Sequence, residues 1–140
     1  MKMLSVVLVP LLLVCLAIGA VHAAPFATPT VVARAQTWLG LIDDGHFAKS
    51  WQTASGYFRA AVSEADWTAA LAAARSPLGA LIQRRHTGSQ LAASLPGAPD
   101  GEYCVMTFST VLAQKKAATE TVTFMLEPDG QWRAAGYFIK

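Results

Sequence analysis

Beyond residue 23, the apolar residues follow a helical period at first and an alternating period over the last forty residues. Within 31–44, apolar residues recur at spacings that place them on one helix face. That face consists of Ala35, Trp38, Leu39 and Ile42. Residues 24–29 are predicted to be extended, with Thr30 as the helix cap. Asp44-Gly45 is predicted to end the helix, because glycine tolerates the left-handed backbone at helix ends.

Two further helices are predicted from the same spacing. The first covers 46–58, with a break near residue 56 where Ser55-Gly56 interrupts the pattern. The second begins at Ser63, which forms an approximate capping box with Asp66. Pro77 ends it, because the residue before a proline is disfavoured in a helix. The predicted buried residues of these helices are Phe47, Trp51, Ala54, Phe58, Trp67, Leu71 and Ala74.

The second half of the domain is predicted to form strands. Strands are predicted over 81–87, 102–112, 119–127 and 132–139. The second and third carry period-two alternation, and the last is the return strand after a hairpin turn. A loop is predicted at 95–101, and turns at 114–118 and 128–130. The sequence therefore predicts an α+β fold, in which N-terminal helices pack on a C-terminal antiparallel β-meander of three to four strands.

The first 23 residues have the anatomy of a secretory signal peptide. Lys2 precedes an uncharged apolar run over 4–16, and small residues lead to the expected cleavage site. Cleavage is predicted between Ala23 and Ala24, which leaves one domain over 24–140 in a periplasmic or secreted protein. An uncleaved membrane anchor is the alternative, because 4–21 just reaches the ~17–25 residues that span a bilayer.

Charge and cysteine content exclude several classes of function. Loss of Lys2 with the leader leaves ten basic and nine acidic residues, with no block of like charges. This balance does not suit a nucleic-acid binder, which carries a basic stripe. The mature chain holds only Cys104, so no internal disulfide is expected, and its strand pattern favours a buried thiol.

No catalytic, cofactor or metal signature is present in the sequence. His46 and His86 lack partners at the spacing that metal sites use. Asp43 and Asp44 are adjacent, so they diverge on a helix and cannot both face one substrate. The sequence therefore predicts no catalytic residues, no metal and no cofactor.

Aromatic residues of the meander are the best candidates for binding. A curved sheet would place them on the wall of a pocket with arginines nearby, and pockets combine apolar walls with a few polar groups. The alternative is that these aromatics only pack in the core. The candidate binding residues are Tyr103, Trp132, Tyr137, Arg84 and Arg133.

Several segments, in this order, resemble the family known as domain of unknown function 4019, which consists of small exported bacterial proteins. They are WLGLIDDG at 38–45, SW and AS within 50–55, RSPLG at 75–79, LPGAPDGEY at 95–103, ETVT at 120–123 and DGQWRAAGYFI at 129–139. The resemblance implies export and a compact α+β domain, and it implies no activity. Helices followed by a curved antiparallel sheet are also similar to nuclear transport factor 2-like cones, a likeness of fold alone.

The leading functional hypothesis is a non-enzymatic module that binds a partner protein or a small ligand in the cell envelope. We expect no nucleic-acid partner and no stable membrane insertion of the mature domain. A small enzyme with a cone-shaped pocket is one alternative, and a membrane-tethered envelope protein is another. An enzyme would bring titratable groups together in one cavity, whereas a binding module would show an apolar pocket or patch.

Overall fold

The computed structural model describes residues 27–140. The predicted signal peptide over 1–23, and its cleavage between Ala23 and Ala24, lie outside the described residues. The described chain begins with four helices: α1 (Ala27–Asp43), α2 (Phe47–Gln52), α3 (Gly56–Ala61) and α4 (Glu64–Ala74), followed by a short 3-10 turn at Ser76–Leu78. None of these helices is long and apolar enough to cross a membrane.

Four strands complete the described fold: β1 (Leu81–Ala92), β2 (Tyr103–Leu112), β3 (Lys115–Leu126) and β4 (Trp132–Ile139). They pair in the order β1-β2-β3-β4, and every pairing is antiparallel. The predicted α+β fold, with N-terminal helices on an antiparallel meander, is confirmed.

The beginning of the first helix was predicted wrongly. Helix α1 already includes residues 27–29, which were predicted to be extended, and Thr30 lies inside it rather than at its cap. Pro29 does not prevent this, because the backbone N–H groups of the first helical turn have no partner within the helix. A proline at that position therefore costs no hydrogen bond. The predicted end of α1 is confirmed, since the helix ends at Asp43 and Gly45, two residues later, has a φ of 77°.

The helical stretch predicted over 46–58 is broken, as predicted, into two short helices, and the second of them continues to Ala61. The chain leaves α2 at Thr53, and Ser55 then caps α3 by accepting a hydrogen bond from the backbone N–H of Phe58. Ser63 caps α4 in the same way through the N–H of Asp66, as predicted. The predicted burial of Ala74 is wrong, because that residue is exposed while Arg75 beside it is buried.

Two strand boundaries also differ from the prediction. Strand β1 extends to Ala92 rather than to residue 87, and it passes Gly88 through a register shift against β2. Strand β3 begins at Lys115, so the turn predicted at 114–118 is much shorter. The alternating pattern was interrupted at both places by small or charged residues, which are tolerated where a strand is exposed.

The core lies between the helices and one face of the sheet. Trp38 of α1 stacks on Trp67 of α4 at a centroid distance of 6.1 Å, and it meets Phe124 of β3 edge to face. Both buried indoles donate to Ser50, Trp38 to its carbonyl and Trp67 to its hydroxyl. These bonds satisfy polar groups that would otherwise be costly to bury. Further core residues are Val31, Ala35, Leu39, Ile42, Phe58, Leu71, Cys104, Met106, Phe108 and Val122.

Candidate functional site

A groove of about 860 Å³ lies between α1 and the start of β4. Its apolar wall is formed by Trp38 and Leu41 of α1, Phe124 of β3, and Trp132 of β4. Its volume falls within the ~300–1,000 Å³ that is usual for small-molecule sites. The remaining lining residues are Pro29, Thr30, Ala33, Arg34, Thr37, Thr53, Gln131, Arg133 and Ala134.

Two arginines supply the charge along this groove, and their surroundings differ. Arg133 bonds to the carboxylates of Glu127 and Asp129, and these hydrogen bonds raise the pKa of its guanidinium. The same contact with Arg133 lowers the pKa of Asp129. Arg34 is exposed, and its Nη2 donates to the neutral Gln131 side chain at 2.7 Å.

A second polar cluster is buried between the sheet and the ends of α1 and α4. Its centre is Arg84 of β1, whose two terminal nitrogens donate to the two carboxylate oxygens of Asp43 at 2.7 and 2.8 Å. The Nε of Arg84 donates to Glu120 of β3 at 2.8 Å, and the Glu120 side chain has no solvent exposure. Burial by itself would lower the pKa of Arg84, but the hydrogen bonds and negative charges of Asp43 and Glu120 outweigh it. The net pKa is raised, so the guanidinium stays charged.

Hydroxyl groups complete this cluster around Glu120. Thr110 of β2 and Tyr137 of β4 each donate to a Glu120 carboxylate oxygen at 2.6 Å. Burial and the negative charge of Glu120 raise the pKa of Tyr137 well above its usual range. We call these residues, together with Asp43, Arg75 and Arg84, the buried network. Every strand contributes one residue to it.

Arg75 joins the buried network from the end of α4. Its Nη2 donates to Asp43 at 3.1 Å, and its Nη1 donates to the carbonyl of Gly79 at 2.6 Å. The network thus holds two guanidiniums and two carboxylates, so its formal charges cancel. Buried charges need this pairing, since an isolated one would be strongly disfavoured. The arrangement ties together helix ends and strands, and its acids are already occupied as acceptors.

The five predicted binding residues lie in three different places. Trp132 and Arg133 line the groove, whereas Arg84 and Tyr137 belong to the buried network. Tyr103 is buried at the start of β2, where its hydroxyl donates to the carbonyl of Pro99 in the preceding loop. The sheet therefore does not bring the five together in one pocket, and a binding role for each stays a prediction.

Several important residues were missed in the sequence. Glu120 has the same parity as Val122 and Phe124, so alternation would have placed it on the buried face, as the one charged residue on that face of the predicted strand 119–127. Arg34 lies one helical turn before Trp38, so the helical spacing could have placed it beside the apolar face. The pairing of Asp43 with Arg75 and Arg84 left no comparable signal, because it joins residues far apart in the chain.

No group of three His, Cys, Asp or Glu residues that could hold a metal ion occurs within 27–140. His86 lies at the sheet instead, with its Nε2 2.7 Å from the hydroxyl of Ser89 and its ring against Phe108. Cys104 is fully buried, as its strand pattern predicted, and burial raises the pKa of its thiol. A raised pKa keeps a thiol in its less reactive protonated form.

Comparison with known proteins gives a family. A family model described as a protein of unknown function (DUF4019) matches residues 34–137, which is more than half of the chain. The match begins at Arg34 and ends at Tyr137, so it spans the whole buried network and most of the groove lining. A search of curated proteins finds no match.

Proposed function

Because the chain belongs to the DUF4019 family, we propose that it is an exported, non-enzymatic domain that binds a small ligand in the cell envelope. The groove between α1 and β4 is the site of this binding. The observation that carries the proposal is the groove's composition: an apolar wall of Trp38, Leu41, Phe124 and Trp132, with polar side chains at its edge. Such a combination is typical of small-molecule sites.

The size of the groove supports a small ligand over a partner protein. Thirteen residues line it. A stable protein–protein interface uses about 20–30 residues on each side. The groove therefore matches a compact ligand better than a folded partner.

The placement of titratable groups supports binding over catalysis. The charged groups that face the groove are the guanidiniums of Arg34 and Arg133. The carboxylates of Asp43 and Glu120 accept hydrogen bonds within the buried network instead. A guanidinium holds its proton at any physiological pH, so it serves recognition better than proton transfer.

A titration with the neutral fluorescent probe N-phenyl-1-naphthylamine tests this site. We expect saturable binding with one site per chain. Ala33→Phe places a ring at the groove, because Ala33 is an exposed lining residue of α1, and should weaken binding at least about tenfold. Ala69→Phe is the matched control, since it makes the same change at an exposed position of α4 that does not line the groove. Absence of saturation, or equal binding by both variants, would contradict the proposal.

Export is tested separately by the intact mass of the protein from its host. We expect the mass of a chain that has lost 1–23. A full-length mass in a membrane fraction would support the tethered alternative instead.

A further inference from the structure

We propose that the ligand of this groove is a small amphiphile with a single acidic group, and that Arg34 binds this group. The inference rests on the proposed function, because it names the class of ligand that the same groove takes. It follows from the difference between the two groove arginines. Arg133 bonds to two carboxylates, whereas the hydrogen-bond partner of Arg34 within residues 27–140 is the neutral side-chain amide of Gln131.

The charge of Arg34 is thus available to a ligand. A guanidinium has five N–H donors, and the contact with Gln131 uses one of them. Gln131 lies in the turn before β4, so this bond holds the guanidinium across the groove from α1 without cancelling its charge. A pre-positioned guanidinium suits carboxylate, sulfonate or phosphate oxygens, which it can bind with two parallel hydrogen bonds.

The apolar wall determines the rest of the ligand. Leu41 and Trp132 line the groove and are half-buried, so they offer apolar contact area to a ligand, and the buried Trp38 lies in the same wall. Glu127 and Asp129 do not line the groove, and both bond to Arg133, which neutralises one of their two negative charges. The edge of the groove that favours an anion is therefore the one formed by Arg34. Positive charge at one edge and aromatic surface within the groove therefore complement a molecule that is acidic at one end and apolar elsewhere.

A matched pair of fluorescent probes tests this inference on the purified protein. The compound 8-anilinonaphthalene-1-sulfonate has the anilinonaphthalene framework of the neutral probe and adds one sulfonate. We expect the anionic probe to bind about threefold to tenfold more tightly, the range for a partly exposed charged contact. Arg34→Gln should bring the ratio of the two affinities close to one, while leaving the neutral probe's affinity nearly unchanged.

Arg59→Gln is the control, because Arg59 is exposed on α3 and does not line the groove. It should retain the wild-type ratio, and added salt should weaken only the anionic probe. If both probes bind and Ala33→Phe weakens both, but Arg34→Gln leaves their ratio unchanged, the acidic-group inference fails and the groove survives. If neither probe saturates, the proposed function fails, and this inference fails with it.

Discussion

Arg84 and Arg85 are adjacent in β1, but one side chain is buried and the other is exposed. The side chain of Arg84 is 8% exposed and bonds to two carboxylates, whereas Arg85 is exposed. The alternation of a strand produces this difference, since successive side chains point to opposite faces of the sheet. The two positions therefore allow a charge to be removed inside or outside the buried network with the same chemical change.

We predict that Arg84→Gln lowers the free energy of unfolding by about 3–5 kcal/mol, because it leaves the carboxylates of Asp43 and Glu120 buried with too little positive charge. Arg85→Gln should change it by no more than about 0.5 kcal/mol, as is usual for exposed sites. Urea unfolding at neutral pH measures both. Equal losses of unfolding free energy in the two variants would show that the ion pairs of Arg84 in the buried network do not stabilise the fold.

For single residues, the sequence predicted burial better than it predicted hydrogen-bond partners. Alternation placed Cys104, Met106 and Phe108 on the buried face, and all three are fully buried. The same rule applies to Glu120, which was missed, and the partners of Glu120 come from three other strands. Such pairings depend on strand order and register, which local patterns do not contain.

Among the elements, α1 connects the groove to the buried network. Along α1, Arg34, Trp38 and Leu41 line the groove, and Asp43, the last residue of the helix, belongs to the buried network. The end of α1 is fixed by Gly45, whose φ of 77° lies in the left-handed region. A side chain there is strained, because its Cβ approaches the following carbonyl oxygen.

We predict opposite effects for two glycine substitutions around this helix end. Gly45→Ala should destabilise the protein by about 1–2 kcal/mol through left-handed strain, although its Cβ would meet open space. Gly40→Ala should stabilise it by about 0.5–1 kcal/mol, because it lies inside α1 and its Cβ also meets nothing within 4 Å. Thermal unfolding of both variants compares them directly, and a shift of the same sign would refute the account.

The elements themselves were largely predictable, and their boundaries were less so. Strand β4 matches its predicted bounds, because the Pro-Asp-Gly turn before it marks where the strand begins. The start of α1 was missed because Thr30 was taken as the helix cap after an extended segment. The extent of β1 was missed because its exposed, partly polar stretch carries little alternation. Hydrophobic period detects an element through its buried face, so exposed ends give a poor signal.

Considered as a whole molecule, the fold separates its polar chemistry into two regions. The buried network joins the ends of α1 and α4 to all four strands, and the groove opens between α1 and β4. Trp38 connects the two regions, because it lines the groove and its ring lies 6.0 Å from that of Tyr137, which belongs to the buried network. The network can therefore hold the groove's apolar wall in place without contributing a charge to it.

This arrangement predicts that the helices and the sheet unfold together. Three of the four tryptophans lie on helices, so their fluorescence reports mainly on the helical layer, while the infrared amide I band of β-structure reports on the sheet. We expect the two urea transitions to coincide, because the shared core and the buried network leave neither layer a complete set of partners alone. In Arg84→Gln both transitions should move to lower urea and still coincide, because the shared aromatic core remains.

Fluorescence that changes well before the amide I band would show that the helices detach from the sheet independently. In that case the groove, which needs both layers for its walls, would be lost before the sheet unfolds.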